Sequence, residues 1–228
     1  WTHRALALAA AFGTATATMN VIFYAAISLI PLGTVVSLEF LGPVAVAALT
    51  GRGWRPRLAA VLALLGVVCV SGLGVDLGDS GQSTGVVLAL AAGAAWAGYI
   101  LLGRRVASAG AGVDSLAVGM VFGALVYAPS SLGTAADALT SVRSTAMALG
   151  VGLLSTAVPY GLDQVVLKRL GTDTFALLSS LMPATSMLVG VAVLGQLPSG
   201  WEVVGLGLVS VAVALASADG RAPRPTRV

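Results

Sequence analysis

The chain is 228 residues long, 57% hydrophobic and only 9% charged, with a mean hydropathy of +0.98. An ordinary soluble domain carries about 25% charged residues. That contrast excludes a soluble enzyme, a disordered protein and a nucleic-acid-binding domain, since none could cover its surface in water with so few charges. Cys69 and His3 are the only residues of their types, so there is no disulfide framework, no Cys/His metal site and no internal histidine for triad chemistry. No metal, no cofactor and no catalytic residue is expected.

A helix needs about 20 apolar residues to cross the bilayer. Eight such stretches run along the chain, at 6–28, 33–50, 58–75, 85–102, 115–132, 146–167, 174–194 and 203–217. Pro31-Leu32-Gly33 separates the first pair, and the Arg-rich turn from Gly51 to Arg57 the second. Asp76 and Asp79 lie in the next separator, Gly103-Arg104-Arg105 follows the fourth stretch, and 133–145 is polar. Lys168-Arg169 follows the sixth stretch, and Pro198-Ser199-Gly200 precedes the eighth. The runs are too long for a β-barrel and lack its two-residue alternation. The tail 218–228 is rich in Arg and Pro and reads as a disordered cytoplasmic segment.

Lys and Arg favour cytoplasmic loops. With the N-terminus inside, eleven of the twelve basic residues fall inside, and only Arg143 lies outside. Asp76, Asp79, Asp137 and Glu202 fall on the outer side. The pI near 9.5 is therefore a topology signal. Both ends of the chain are expected in the cytoplasm.

Shifting the chain by 140 positions places Leu38 on Leu178, Leu41 on Leu181, Pro43 on Pro183 and Thr34 on Thr174. Spans one to three then match spans six to eight. The offset is an odd number of spans, so matching helices run in opposite directions, as in the inverted repeats of many secondary transporters. Spans four and five have no partners in the first half. The expectation is an all-α integral membrane protein, a multi-span helical bundle with an inverted five-helix repeat, truncated at the N-terminus to eight of ten spans. Residues 1–75 are the remainder of the first repeat and 85–217 the second.

An ionisable group in the hydrocarbon core costs about 2.5–3.5 kcal/mol on insertion scales, so each one requires a reason. Two carboxylates qualify, Glu39 and Asp163. Pro43 lacks the N–H that would bond the Glu39 carbonyl, so a kink and a carboxylate coincide. Pro183 repeats the arrangement beside Ser179, and Pro159 frees the carbonyl of Ser155 one turn before Asp163. A carboxyl so placed can exchange a proton or pair with a substrate ammonium; the competing reading is a hydrogen-bonded packing residue. Asp163 is five residues from Lys168 and can instead reach the inner interface. Asn20, Tyr24, Tyr160, Trp96 and Tyr99 are the further candidates for a cavity lining, with interhelical packing as the alternative. Trp54 and Trp201 sit at span ends as belt residues.

Small residues recur every fourth position, at Ala5, Ala9, Gly13 and Ala17 and at Gly85, Ala89, Gly93 and Ala97. Such stripes let helices approach closely. Tyr160-Gly161-Leu162-Asp163 and Gly72-Leu73-Gly74-Val75-Asp76 are decoys for an intramembrane aspartyl protease, since the second carries an extra residue and ends in an outer loop. A serine-protease mechanism lacks its histidine.

The segments from Met19 to Leu49, Ala94 to Arg105, Leu153 to Leu170 and Thr174 to Ala184 resemble the threonine/homoserine exporter branch of the drug/metabolite transporter superfamily, the EamA type. The Leu38-Glu39-Phe40-Leu41-Gly42-Pro43 and Ser155-Thr156-Ala157-Val158-Pro159-Tyr160 elements are the most specific. The resemblance implies ten spans in two inverted halves and a bacterial inner-membrane exporter of small amino acids, driven by proton exchange. It assigns Glu39 to the family's membrane-embedded glutamate, and Asp163 stands where the family has a glutamate. Met182 and Gln196 occupy two further positions that are acidic in the family, which bears on coupling ion and substrate rather than on fold. The partners implied are a small-molecule substrate and the lipid bilayer, with no nucleic acid and with a homodimer as one option. Efflux of bulkier apolar compounds and a non-transporting membrane scaffold are the competing functions.

Overall fold

Lipid offers no hydrogen bonds, so apolar runs of this length satisfy their backbone only as helices. The computed structural model describes residues 2–50, 53–73, 78–108, 112–159 and 181–217, and every regular element among them is helical. The long elements are α1 (His3–Ile27), α2 (Leu32–Glu39), α3 (Leu41–Thr50), α4 (Arg55–Leu73), α5 (Ser80–Ser108), α6 (Gly112–Ala138), α7 (Val142–Gly152), α8 (Met182–Leu194) and α9 (Gly200–Ser217). Each of the eight expected stretches contains described helix. Among the described residues, four spans are long and apolar enough to cross a membrane: α1, α2 with α3, Ser80–Gly103 of α5 and Asp114–Gly133 of α6. Met182–Leu194 and Gly200–Ala216 are shorter apolar helices.

Local chemistry sets the ends. Thr2 Oγ1 accepts the Ala5 N–H at 3.2 Å and starts α1. Asp79 Oδ1 accepts the Gln82 N–H at 2.8 Å and starts α5, and Ser141 Oγ does the same for Ser144 and α7. Such side-chain acceptors satisfy donors that have no partner in the first turn. Pro159 has no N–H for the Ser155 carbonyl, and the chain answers with a π-helical turn over Leu153–Ala157. Pro183 lies buried in the first turn of α8 as described, where a missing N–H does no harm.

The middle of the bundle is α2. Every residue from Gly33 to Phe40 is buried. Val36 and Phe40 turn toward Val44 of α3, Ala59 and Ala63 of α4, and Val209, Ala212 and Val213 of α9. Val35 and Leu38 turn the other way, toward Ala26, Ile30 and Ala89. Both faces of α2 meet core, and its Thr34, Ser37 and Glu39 are buried with them. Around it, α4 lies along α9, α8 and α5 pack on α2, and α1 packs between α5 and α6.

The small-residue stripes make these approaches. A Cβ on Gly13 would overlap the Gly119 backbone of α6, and one on Gly42 would overlap the Gly93 carbonyl of α5. One on Gly66 of α4 would fall 2.7 Å from the Gly205 carbonyl of α9. These contacts trade side-chain volume for backbone proximity, which is how helices associate without a hydrophobic drive from water.

One polar tie supports the α1–α6 crossing. Tyr127 OH donates to Thr18 Oγ1 at 2.7 Å, and Thr18 donates onward to the Thr14 carbonyl at 2.8 Å. Interhelical hydrogen bonds of this type are worth about 0.6–1.7 kcal/mol. Tyr127→Phe should lower the unfolding midpoint of detergent-solubilised protein by a few degrees, roughly 2–4 °C per kcal/mol at this size. Adding Thr18→Val should then change little, because the partner is already lost; two fully additive losses would refute the tie.

Candidate functional site

The site grows from the junction of α2 and α3. Pro31 fixes the start of α2 and supplies no side-chain cap. Seven residues on, the helix ends at Glu39, and α3 resumes at Leu41. Phe40 N–H still reaches the Val36 carbonyl at 3.1 Å, and Val44 N–H reaches Phe40 at 3.1 Å. Between those two bonds Pro43 offers no donor, so the Glu39 carbonyl leaves the ladder. Gly93 of α5 faces it, placed so that a Cβ would sit 2.7 Å from the Glu39 oxygen. The expected kink at Pro43 is thus a break stabilised by a glycine on the neighbouring helix. Phe40 is held from the side by Trp96, edge to face at 4.8 Å and 65°.

Glu39 is 8% exposed. No hydrogen bond or ion pair to its carboxyl occurs among the described residues. Burying a charged carboxylate with no partner is costly, and this one sits at the only acidic position of the innermost described helix. It faces protein rather than lipid.

The other expected residues are placed as follows. Asn20 is half-buried, and its Nδ2 donates to the Thr16 carbonyl of its own helix at 2.9 Å. Tyr24 is 43% exposed, with its ring edge-to-face to Phe23. Tyr99 stacks on Phe12 at 4.8 Å and 20°. Trp96 is the one described candidate brought to the break beside Glu39. Tyr160 and Asp163 lie outside the described residues, and so does the carbonyl-to-carboxyl relation expected between Ser155 and Asp163.

A second polar group lies at the N-terminal end of α2 and was not singled out from the sequence. Glu202 reads there as an outer-loop acid, yet it is 7% exposed. Its Oε2 accepts the Ser199 N–H at 2.6 Å, while Ser199 Oγ accepts the Glu202 N–H at 3.3 Å. That reciprocal pair is a capping box at the start of α9, and Ser199-Gly200-Trp201-Glu202 carries its S-x-x-E signature. Glu202 Oε1 accepts from Thr34 Oγ1 of α2 at 3.3 Å. Nearby, Gln196 Oε1 accepts the Leu32 N–H at 3.1 Å and supplies the cap that Pro31 cannot. A small cavity of about 30 Å³ sits between these groups, lined by Thr34, Met187, Gln196, Glu202 and their neighbours. It has room for a water or two. Glu39 does not line it.

Residues 83–218 match the EamA-like transporter family. The chain belongs to that family. This EamA-like chain is 39% identical over 195 residues to the threonine/homoserine exporter RhtA of Salmonella typhimurium, covering 86% of the chain and 65% of the relative. It is 39% identical over 201 residues to the threonine/homoserine exporter RhtA of Escherichia coli K12, covering 88% and 68%. The chain therefore spans about two thirds of the length of these relatives. No solved structure matches it. The family and the apolar helices together make it a helical membrane protein of a transporter family.

Proposed function

We propose that this EamA-like protein is a secondary exporter of small amino acids or related metabolites, of the threonine or homoserine type. Glu39 carries the reading. It is an acid without a described partner, buried at a helix break in the innermost helix, and the threonine/homoserine exporters are the chain's relatives by sequence. A buried carboxyl at a broken helix suits a group that meets a proton and a substrate amine in turn.

The mechanism proposed is alternating access coupled to proton exchange. Two inverted halves, 1–75 and 85–217, rock around a midplane site in the bacterial inner membrane, with both ends of the chain in the cytoplasm. Glu39 binds the proton or the amine, with Trp96 beside it across Phe40; Tyr160 and Asp163, outside the described residues, are proposed to complete the lining, whereas Asn20, Tyr24 and Tyr99 turn to other partners. A scaffold has no use for a buried acid with no described partner, so the transport reading is the simpler account.

The test is export of threonine and homoserine from loaded cells producing the whole protein. Efflux above that of empty cells, sensitive to collapse of the proton gradient, is the expected result; no efflux of either solute would remove this substrate class. A second reading, efflux of bulkier apolar compounds, has Met182 in its favour, half-exposed in the first turn of α8 where the family resemblance places an acid. Gln196 supports it less, because its carboxamide has a structural task as the cap of α2. A panel running from amino acids to apolar drugs separates the two.

A further inference from the structure

We infer that the contact between the outer end of α2 and the α8–α9 linker is the gate that closes the outer mouth, and that α2 is the lever joining it to Glu39. The inference rests on the exporter reading above and on the inside placement of the N-terminus, but part of its test needs no substrate.

The span containing Glu39 is fastened differently at its two ends. Its inner half, α3, is locked by backbone proximity: Gly42 lies against the Gly93 carbonyl, and Val44 is buried in the core shared with α4 and α9. Its outer half, α2, meets the linker through two side-chain hydrogen bonds, Thr34 to Glu202 and Leu32 N–H to Gln196. No ion pair reinforces them among the described residues. The small, partly open pocket lined by Thr34, Gln196 and Glu202 lies beside them. Hydrogen bonds of this kind, with no ion pair beside them, break at modest cost, and a pocket leaves fewer contacts to resist the movement.

The contact also sits between two interruptions in the helices. α2 is already parted from α3 at Phe40, where the Glu39 carbonyl has left the ladder, so a tilt there is opposed by side-chain packing and not by that backbone bond. The linker 195–199 is not helical, and Gly195 opens it in a left-handed conformation at φ 67°. Thr34 and Glu39 are only five positions apart, about 7.5 Å of helix. Eight residues in one short helix of about two turns transmit a tilt at Glu39 directly to the latch. The Glu202 capping box stays within α9, so opening removes the Thr34 link and leaves the start of α9 intact.

The reporter is Gly33→Cys in a Cys69→Ala background, because Gly33 is buried at the latch and a side chain there has ordinary contacts. An impermeant maleimide added outside cells should label it slowly. Adding Thr34→Val with Gln196→Leu removes both links and spares the capping box; labelling should then quicken about tenfold, the effect of roughly 1.4 kcal/mol of lost hydrogen bonding. Gln196→Glu keeps the acceptor and should stay slow. Equal rates with and without the latch would overturn the gate.

A second arm uses Gly33→Cys with Met187→Cys in the same background. The Cβ positions are 3.5 Å apart, within disulfide range. Oxidation should stop export, and dithiothreitol should restore it. Export at an unchanged rate while cross-linked would overturn the inference. A protein that labels as expected yet moves no tested solute would keep the gate and remove the substrate class.

Discussion

Glu39→Gln is expected to reduce net export of threonine or homoserine by at least about tenfold, the loss that follows from removing a hydrogen bond to a charged group worth about 1.5–3 kcal/mol. The amide keeps the size and most of the shape of the side chain, and the position is buried among protein groups, so folding should survive. What the amide lacks is the exchangeable proton and the negative charge. The two roles proposed for Glu39 then separate. If the carboxyl carries the coupling proton, the variant should still exchange labelled substrate across vesicles with equal solute on both sides, while net uphill export is lost. If it binds the substrate amine, exchange should fail as well. Export indistinguishable from the parent across pH 6 to 8 would show that Glu39 is a packing residue.

Gly93→Val is the second large effect, and it falls first on stability. The new Cβ would lie 2.7 Å from the Glu39 carbonyl oxygen and 3.2 Å from its Cα. Both are backbone atoms of the innermost helix and cannot rotate aside. Forcing extra carbon into a packed contact costs about 1–3 kcal/mol, and more where backbone must shift. Gly98→Ala on the same helix is the matched control, since nothing lies within 4 Å of a Cβ there, and alanine favours a helix by about 1 kcal/mol over glycine. The expected result is a fall in unfolding midpoint and in accumulated protein for Gly93→Val, with no loss for Gly98→Ala. Equal behaviour of the two would refute the close approach at the break.

The two variants bear on one arrangement, an acid and a parted helix held against a glycine, and its parts differed in how far they could be read beforehand. The break was legible because proline acts locally: Pro43 removes a donor wherever the chain goes, and the carbonyl affected is always four residues back. The helical stripes were legible because a spacing of four residues recurs on one helix face. Gly13 and Gly93 do meet other backbones, but their partners, Gly119 and the Glu39 carbonyl, are distant in sequence and depend on which helices become neighbours. Trp96 comes to the break through the same crossing, whereas Tyr99 turns to Phe12 and Asn20 to its own backbone, and no spacing rule distinguishes them.

Glu202 shows the other limit. Its S-x-x-E context marked a helix start, and an alert reading could have found the capping box. That its second oxygen would meet Thr34, 168 residues away, depends on two helix ends arriving at the same depth. Gln196 likewise looked like a missing acid, and only the position of the Leu32 N–H shows that a neutral carboxamide meets the structural demand.

The sequence by itself determined that this is a helical membrane protein, where its apolar runs lie, and that one of them must part near Glu39. Those follow from lipid's lack of hydrogen-bonding partners and from proline's missing donor, and neither needs a neighbour. The tertiary structure decided which helix is innermost, what faces the released carbonyl, and which polar groups join α2 to the α8–α9 linker. Those are facts of contact between segments far apart in the chain, where a few ångströms of helix offset change every partner.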